Sequence, residues 1–523
     1  MPVDPTAELA PNPYDGLRPL VGDIHNHCGI SYGHGSIEDA YRNAALQLDF
    51  ASVTGHAWWH DMPVGDPRLA EEEAYHREGF RRLADQWDRV QEVTESVHQE
   101  GRFVSLLSFE WHSMTYGDHC VYYPSSHGPI IRADSLEELR RRLRASARAG
   151  LPGLAIPHHI GYRKGWRGIN WETYTEELSP VAEIVSMHGC GESERAPRNY
   201  LHTMGPRDAQ SMAYYGLQQG RVFGFIGSTD HHSAHPGSHG YGRMVAWAPE
   251  LSREAIWQAI LDRRTYAITG DRIDLQSSVN GYPMGAIAPA ARHRRIAVDV
   301  TGGDAVDQVE VIRNGAVIHT ARPANDATTT SRPGFRGVTG LAVGWGKAGI
   351  VTDWEVEIEV RGGRLDGIEP RLRGVDIVDP LTPPPDSYSF SEWQRSGPGC
   401  LRLRTRTSSN PTVLTNGTQQ VALRITGDDR TEIAATINGV SARYAIGELR
   451  NGPRSGYTSG FVSPAFQFLR AVTDDERRVA FTIDDDRRDT APIGRDWYHV
   501  RVRQANEQWA FGSPTWVNGT TLT

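Results

Sequence analysis

Along the first 240 residues, one short apolar run after another ends in an imidazole or a carboxylate, and no other feature restricts the fold as tightly. The runs are Leu20 to Ile24, Phe50 to Thr54, Phe103 to Phe109, His119 to Tyr123, Gly153 to Ile156, Val181 to Ser186 and Val222 to Ile226. Polar, helix-like stretches separate them, so the pattern predicts an α/β fold with a largely parallel sheet. Seven such runs are enough to close a barrel. Helix starts are marked as well. Ser36 stands three residues before Asp39, and Asp134 or Ser135 opens an Arg/Leu-rich run that ends at Gly150. The stretch from Leu69 to Glu100, rich in Glu, Arg and Gln, predicts a long solvated outer helix.

After Tyr266 the texture changes. Alternating segments such as Arg295 to Val300, Gln308 to Ile312, Trp354 to Val360, Val421 to Ile425, Val479 to Ile483 and Tyr498 to Val502 recur between Gly, Asn and Asp turns, which predicts an antiparallel β-sandwich. A Pro/Gly-rich stretch from Leu381 to Pro398 reads as an irregular excursion. A chain of 523 residues exceeds what one hydrophobic core usually serves. The expected organisation is therefore an α/β barrel over 1–268 followed by an all-β sandwich domain over 269–523.

The formal charge of −9 and a sequence pI near 6.2 give no general attraction to phosphate backbones, so nucleic acid is not an expected partner. No stretch approaches the roughly 18 apolar residues of a membrane span, and residues 1–22 lack the basic start and apolar core of a secretory signal. Cys28, Cys120, Cys190 and Cys400 have no paired spacing and read as reduced thiols. A cytoplasmic protein is the expectation.

Of 21 histidines, only His293, His319 and His499 lie after residue 240. The C-terminal strand ends of an α/β barrel meet at one mouth, so ligands far apart in sequence become neighbours. The first strand delivers Asp23, His25 and His27, whose alternation lets both imidazoles face one ion. Later strand ends contribute His56, Glu110, His119, His158 with His159, and Asp230, His231 and His232. Within the last group Asp230 and His232 share a face. A lone histidine such as His56 or His119 reads more readily as a hydrogen-bonded structural residue than as a ligand, and the His25/His27 pair alone reads either way. Independent structural histidines, however, have no reason to end strand after strand. So many ligands exceed the four of a structural zinc site, which implies two or three divalent ions, Zn, Mn or Fe.

At these residues the sequence resembles the PHP (polymerase and histidinol phosphatase) metallohydrolases. The likeness is carried by Gly22-Asp23-Ile24-His25-Asn26-His27, Asp49 through His56, Glu110, Ile156-Pro157-His158 and Gly227 through His232. It covers residues 18 to 245 and implies a distorted seven-stranded (β/α) barrel with a di- or trinuclear centre. Val181 through Gly189, Thr269 through Ile273, Val279-Asn280-Gly281 and Trp497 through Val502 look most like the carbaryl-hydrolase-like branch, with its β-rich C-terminal part. One position departs: Tyr32 stands where the family places an Asp. Either His34 replaces that ligand or a third ion is absent.

Other candidates surround the ligands. The loop His159 to Arg167 carries Arg163, Lys164 and Arg167, and Arg163 is the candidate clamp for an anion; a solvated loop is the bland alternative. His159 and His231 are candidate catalytic residues, His231 as proton donor to a leaving group. Trp58, Trp59, Trp111 and Trp166 either wall a pocket or fill the core, and His188, Glu192 and Glu194 are further contacts of the site. The expected function is metal-dependent hydrolysis of a small-molecule ester, a phosphomonoester or phosphodiester first and a carboxylic ester, amide or carbamate second. A non-catalytic metal-binding protein is the remote reading, and a homo-oligomer is compatible with any of them.

Overall fold

The computed structural model describes residues 12–201, 203–323, 334–347, 349–377, 381, 389–408, 416–486 and 494–519. In the N-terminal half the apolar runs form strands close to where they are expected, two of them, His119–Tyr123 and Val181–Ser186, with the same bounds. Ser36 caps helix Ile37–Ala45 by accepting from the N–H of Asp39, and Ser135 caps Leu136–Arg148 through Glu138. The long helix runs from Ala70 to Ser96 and shows a mostly polar face to solvent.

Strand directions are mixed rather than largely parallel. Arg18–Asp23 pairs in parallel with Phe50–Ala51, and that strand with Val104–Ser105, whereas Arg243–Ala248 lies antiparallel on the other edge. Beyond a bend at Ser52 and Val53 the chain continues as Thr54–Trp59, parallel to Leu107–His112, and the sheet goes on through antiparallel His119–Tyr123 and Leu154–Pro157. Val181–Ser186 and Gly224–Gly227 pair separately. The described strands of the N-terminal half thus fall into three hydrogen-bonded sheets, not one continuous seven-stranded ring. The interruption has a local cause: Ser52 donates its N–H to the Asp23 carbonyl while its hydroxyl bonds the Leu106 carbonyl and Ser108, so the strand changes partner there.

The division expected at 268/269 falls inside a sheet. Thr265–Ile268 pairs with Trp509–Gly512, which pairs with Arg495–Gln504, itself paired with Val306–Arg313. One hydrophobic core runs through Val21, Phe109, Val245, Val309 and Val500. A second core is separate, built from Leu341, Val356, Leu403, Leu423 and Phe468. It lies between two antiparallel sheets whose strands fall between Phe335 and Thr473, within a chain that leaves the body after Ala321 and returns at Arg478. Strand Val351–Arg361 shows why: Trp354, Val356, Ile358 and Val360 face in while Glu355, Glu357 and Glu359 face out. Ser391–Gly397 is a strand, so the excursion expected over 381–398 is in part regular; residues 382–388 lie outside the described residues.

After strand Arg364–Arg371 the chain comes back onto the N-terminal strands. The Leu372 carbonyl accepts from His239 N–H, Val375 accepts from the Ser233 hydroxyl, and a Cβ at Gly374 would lie 2.4 Å from the His231 ring. Two cores joined in this way predict two unfolding events. Leu423→Ala should cost about 2–5 kcal/mol of packing and lower only one calorimetric transition; one transition moving as a unit would refute the separation.

Candidate metal centre

The ligand-bearing segments are fastened by their backbones. Asp230 N–H donates to the His25 carbonyl at 2.7 Å, His27 N–H to the His231 carbonyl at 2.7 Å, and Ala234 N–H to the His27 carbonyl at 3.1 Å. Thr54 N–H donates to the Asn26 carbonyl at 2.8 Å, which sets the second strand beside the first. The Asp23 carboxylate accepts from the Thr229 hydroxyl and from Gly237 N–H, and burial pushes its pKa up to about 6. Asp23 therefore braces the two segments without entering the cluster. Asp230 has φ of +53°, a left-handed conformation that turns its carboxylate inward at the end of its segment.

Four donors meet at the centre. His27 Nδ1 lies 2.6 Å from the Thr54 carbonyl, which can only accept, so Nδ1 carries the proton and Nε2 presents a lone pair. His25 Nδ1 lies 3.0 Å from the Glu183 carboxylate, which fixes the same tautomer. The two Nε2 atoms then stand 3.1 Å apart, with Asp230 Oδ1 at 3.0 and 3.4 Å and Glu110 Oε2 at 3.5 and 3.9 Å. Ligands at about 2.1 Å around a tetrahedral ion are about 3.4 Å from one another. Facing lone pairs and carboxylate oxygens at such spacing repel unless a positive charge lies between them.

Both carboxylates reach further with their second oxygens. Glu110 Oε1 lies 2.7 Å from His158 Nε2, and Asp230 Oδ2 lies 2.9 Å from His188 and 3.3 Å from His159. His56 Nδ1 is 2.7 Å from Glu110 Oε2, and His27, His56 and His232 form a further group with nitrogen atoms within 4.8 Å of one another. Burial alone would raise the Glu110 carboxyl, yet the imidazoles of His112, His56 and His158 hold it well below the usual carboxylate range. Asp230 is held low in the same way by His25, His188 and His159. Burial first, and neighbouring imidazoles second, hold His56, His159 and His232 well below the ordinary imidazole value. Burial alone would lower His25 and His158, yet Cys120 and the neighbouring carboxylates hold both well above the ordinary imidazole value. Anionic carboxylates beside imidazoles that can give up a proton are what a divalent ion requires. The donor set fits a metal.

Of the sequence candidates, His25, His27, His56, Glu110, His158, Asp230 and His232 are brought together. His34 is half-buried beside them, its N–H donating to the His232 carbonyl at 2.8 Å. His119 is not among the donors. Strand alternation turns it outward, where Nδ1 bonds the Gly117 carbonyl and the ring edges Trp111, and the same alternation brings Cys120 within 3.5 Å of His158 Nδ1. His231 also points away: lying between two inward residues, it contacts Ser233 and faces Asp376 at 3.9 Å. Arg163 is exposed and borders a different hollow, and Arg167 is the basic side chain at the cluster.

His112, Asp118 and Glu183 also stand at the cluster, beyond the sequence candidates. A signal existed for two of them, since His112 follows Glu110 by two and so shares its face, and Glu183 is a carboxylate inside an apolar run. Tyr32 stacks on His56 with ring centroids 3.5 Å apart. The cavity above the cluster has a volume of about 420 Å³ and is walled by Trp59, Met62, Met114, Trp166 and Met204 as well as the ligands. Trp58 and Trp111 pack into the core instead, and Glu192 is buried against Arg501 at 2.9 Å. Glu194 is exposed.

No protein-family model matches the chain. It is similar to uncharacterized proteins of Chlamydia pneumoniae, 23% identical over 46% of this chain and 41% of that protein, and of Chlamydia muridarum, 25% identical over 45% and 40%. The chain thus spans well under half the length of these relatives. A solved two-domain protein from Bacteroides vulgatus, described as containing a predicted PHP-like metal-dependent phosphoesterase, is 12% identical over 82% of this chain and 95% of its own, with a TM-score of 0.30. Likeness that low carries no argument, and the case for a metal rests on the donors. No described helix is long and apolar enough to cross a membrane. Because Glu183 orients His25, Glu183→Ala should weaken Zn binding roughly 10–100-fold in a chelator competition; unchanged affinity would count against this centre.

Proposed function

We propose that the protein is a metal-dependent hydrolase of the PHP type, with phosphoesters as its substrates and two or three Zn, Mn or Fe ions at the cluster. The observation that carries this reading is the convergence of His25 Nε2, His27 Nε2, Asp230 Oδ1 and Glu110 Oε2 on one point. These four would hold one ion, with His158 and the His56 and His232 pair beside further positions. Bound there, such ions lower the pKa of water toward neutrality and stabilise charge developing on a phosphoryl oxygen.

The chain's own groups do the rest. The Thr54 carbonyl and Glu183 fix the ring tautomers of His27 and His25. The apolar walls exclude bulk water and strengthen every charge interaction inside. His159 and His188, both beside Asp230 Oδ2, are the imidazoles placed to hold or pass a proton at a departing oxygen. The same reading treats the N-terminal strands as a distorted barrel and residues 335–473 as a β-sandwich inserted into the body. It places the protein in the cytoplasm, in keeping with four free cysteines.

A second reading, hydrolysis of a carboxylic ester, amide or carbamate, is favoured by the tryptophan and methionine walls. Elemental analysis and a substrate panel test both. Chelation is expected to abolish hydrolysis of 4-nitrophenyl phosphate and bis(4-nitrophenyl) phosphate, and Zn, Mn or Fe to restore it. Restored activity confined to 4-nitrophenyl acetate or a carbamate would move the assignment to the second reading. A protein that binds no metal and ignores chelators would end both.

A further inference from the structure

Arg167 is the one Arg or Lys among the described residues lining the cavity, and its bonding is uneven. Nε and Nη2 lie 2.7 and 2.6 Å from Asp118 Oδ2, and Nη2 also meets His112 Nδ1 at 3.0 Å. Nη1, by contrast, donates to the thioether of Met204 at 3.0 Å, and a thioether is a weak acceptor. The side chain as a whole is 14% exposed. Asp118 is itself fully buried and also accepts from the Ser113 N–H, so the guanidinium is pinned in place. The guanidinium carbon lies 4.8 Å from the centre of the Trp59 ring, which holds its plane.

A pinned, partly buried cation that lines a cavity, with a thioether as the acceptor at Nη1, can receive a charged oxygen. Around it the wall is soft and apolar: Trp59, Met114 and Met204 can shape themselves to a flat group. Charge sets a limit on the other side, because Glu72 and Glu73 line the same cavity above Glu110 and Asp230. Glu110 and Asp230 belong to the ion-holding cluster and Glu73 is tied to Arg77 at 2.9 Å, so Glu72 is the carboxylate that a second negative charge away from the ions would meet, and a monoanion suits that end of the site better than a dianion.

We propose that Arg167 orients the substrate, receiving an anionic phosphoryl oxygen on Nη1 while an apolar arm lies against Trp59, Met114 and Met204, which selects monoanionic phosphodiesters bearing an aryl-like group. This rests on the hydrolase reading above and narrows it.

The test uses the full chain loaded with Mn and dibenzyl phosphate, a monoanion with aryl arms, titrated by calorimetry. Arg167→Lys keeps a cation beside Asp118 and removes the Nη1 arm, so the fold is retained while affinity should fall about tenfold or more. Trp59→Leu should also weaken binding, severalfold. No binding by the unsubstituted protein, or equal affinity in Arg167→Lys, overturns the proposal and leaves Arg167 as a structural partner of Asp118. Hydrolysis is scored separately. A protein that binds dibenzyl phosphate through Arg167 yet cleaves no ester would refute the hydrolase reading and keep the receptor.

Discussion

The short ladder between His25–His27 and Asp230–Ala234 is the interaction on which the site depends. It joins segments some two hundred residues apart through backbone groups, which hold regardless of the protonation of any side chain. Side chains alone would hold it less firmly, because facing lone pairs and carboxylate oxygens repel wherever no proton or metal ion lies between them. The backbone bonds, with Asp23 gripping Thr229 and Gly237 behind them, keep the donors in register against that repulsion.

The rest of the molecule is arranged around this scaffold. Strands from the far C-terminus extend the sheet that contains Arg18–Asp23, so Thr265–Ile268 is not left as an unpaired edge. Glu192, four residues past His188, is tied to Arg501 and Tyr214, which links the loop carrying a candidate proton-transfer group to a C-terminal strand. The inserted pair of sheets has its own core, yet its arm at Leu372 to Asp376 is laid over His231 and Gln47.

Much of the site was legible because its determinants are local. Caps at Ser36 and Ser135, and the imidazoles ending successive strands, can be read from a few neighbouring residues. The errors have physical causes too. His119 opens a strand, as a ligand would, but the parity of that strand decides which way it points, and Cys120 faces inward instead. Parity also places His231 outside a group whose other two members face in. Arg163 and Arg167 lie four residues apart on a loop that turns over Gly165 to Arg167, and composition does not say which of them folds back onto the cluster. The return of the chain to the body after residue 473 rests on strand pairings across hundreds of residues, for which a linear pattern holds no signal.

The left-handed backbone at Asp230 has a consequence for what can stand at that position. Two independent demands coincide there: a short carboxylate within reach of four imidazoles, and a residue that tolerates positive φ. Asparagine meets the second and supplies no charge; glutamate supplies the charge but is an unfavourable occupant of that region and carries its oxygens one methylene too far. Aspartate alone satisfies both, so sequence drift at this site is blocked twice over, by conformation as well as by chemistry.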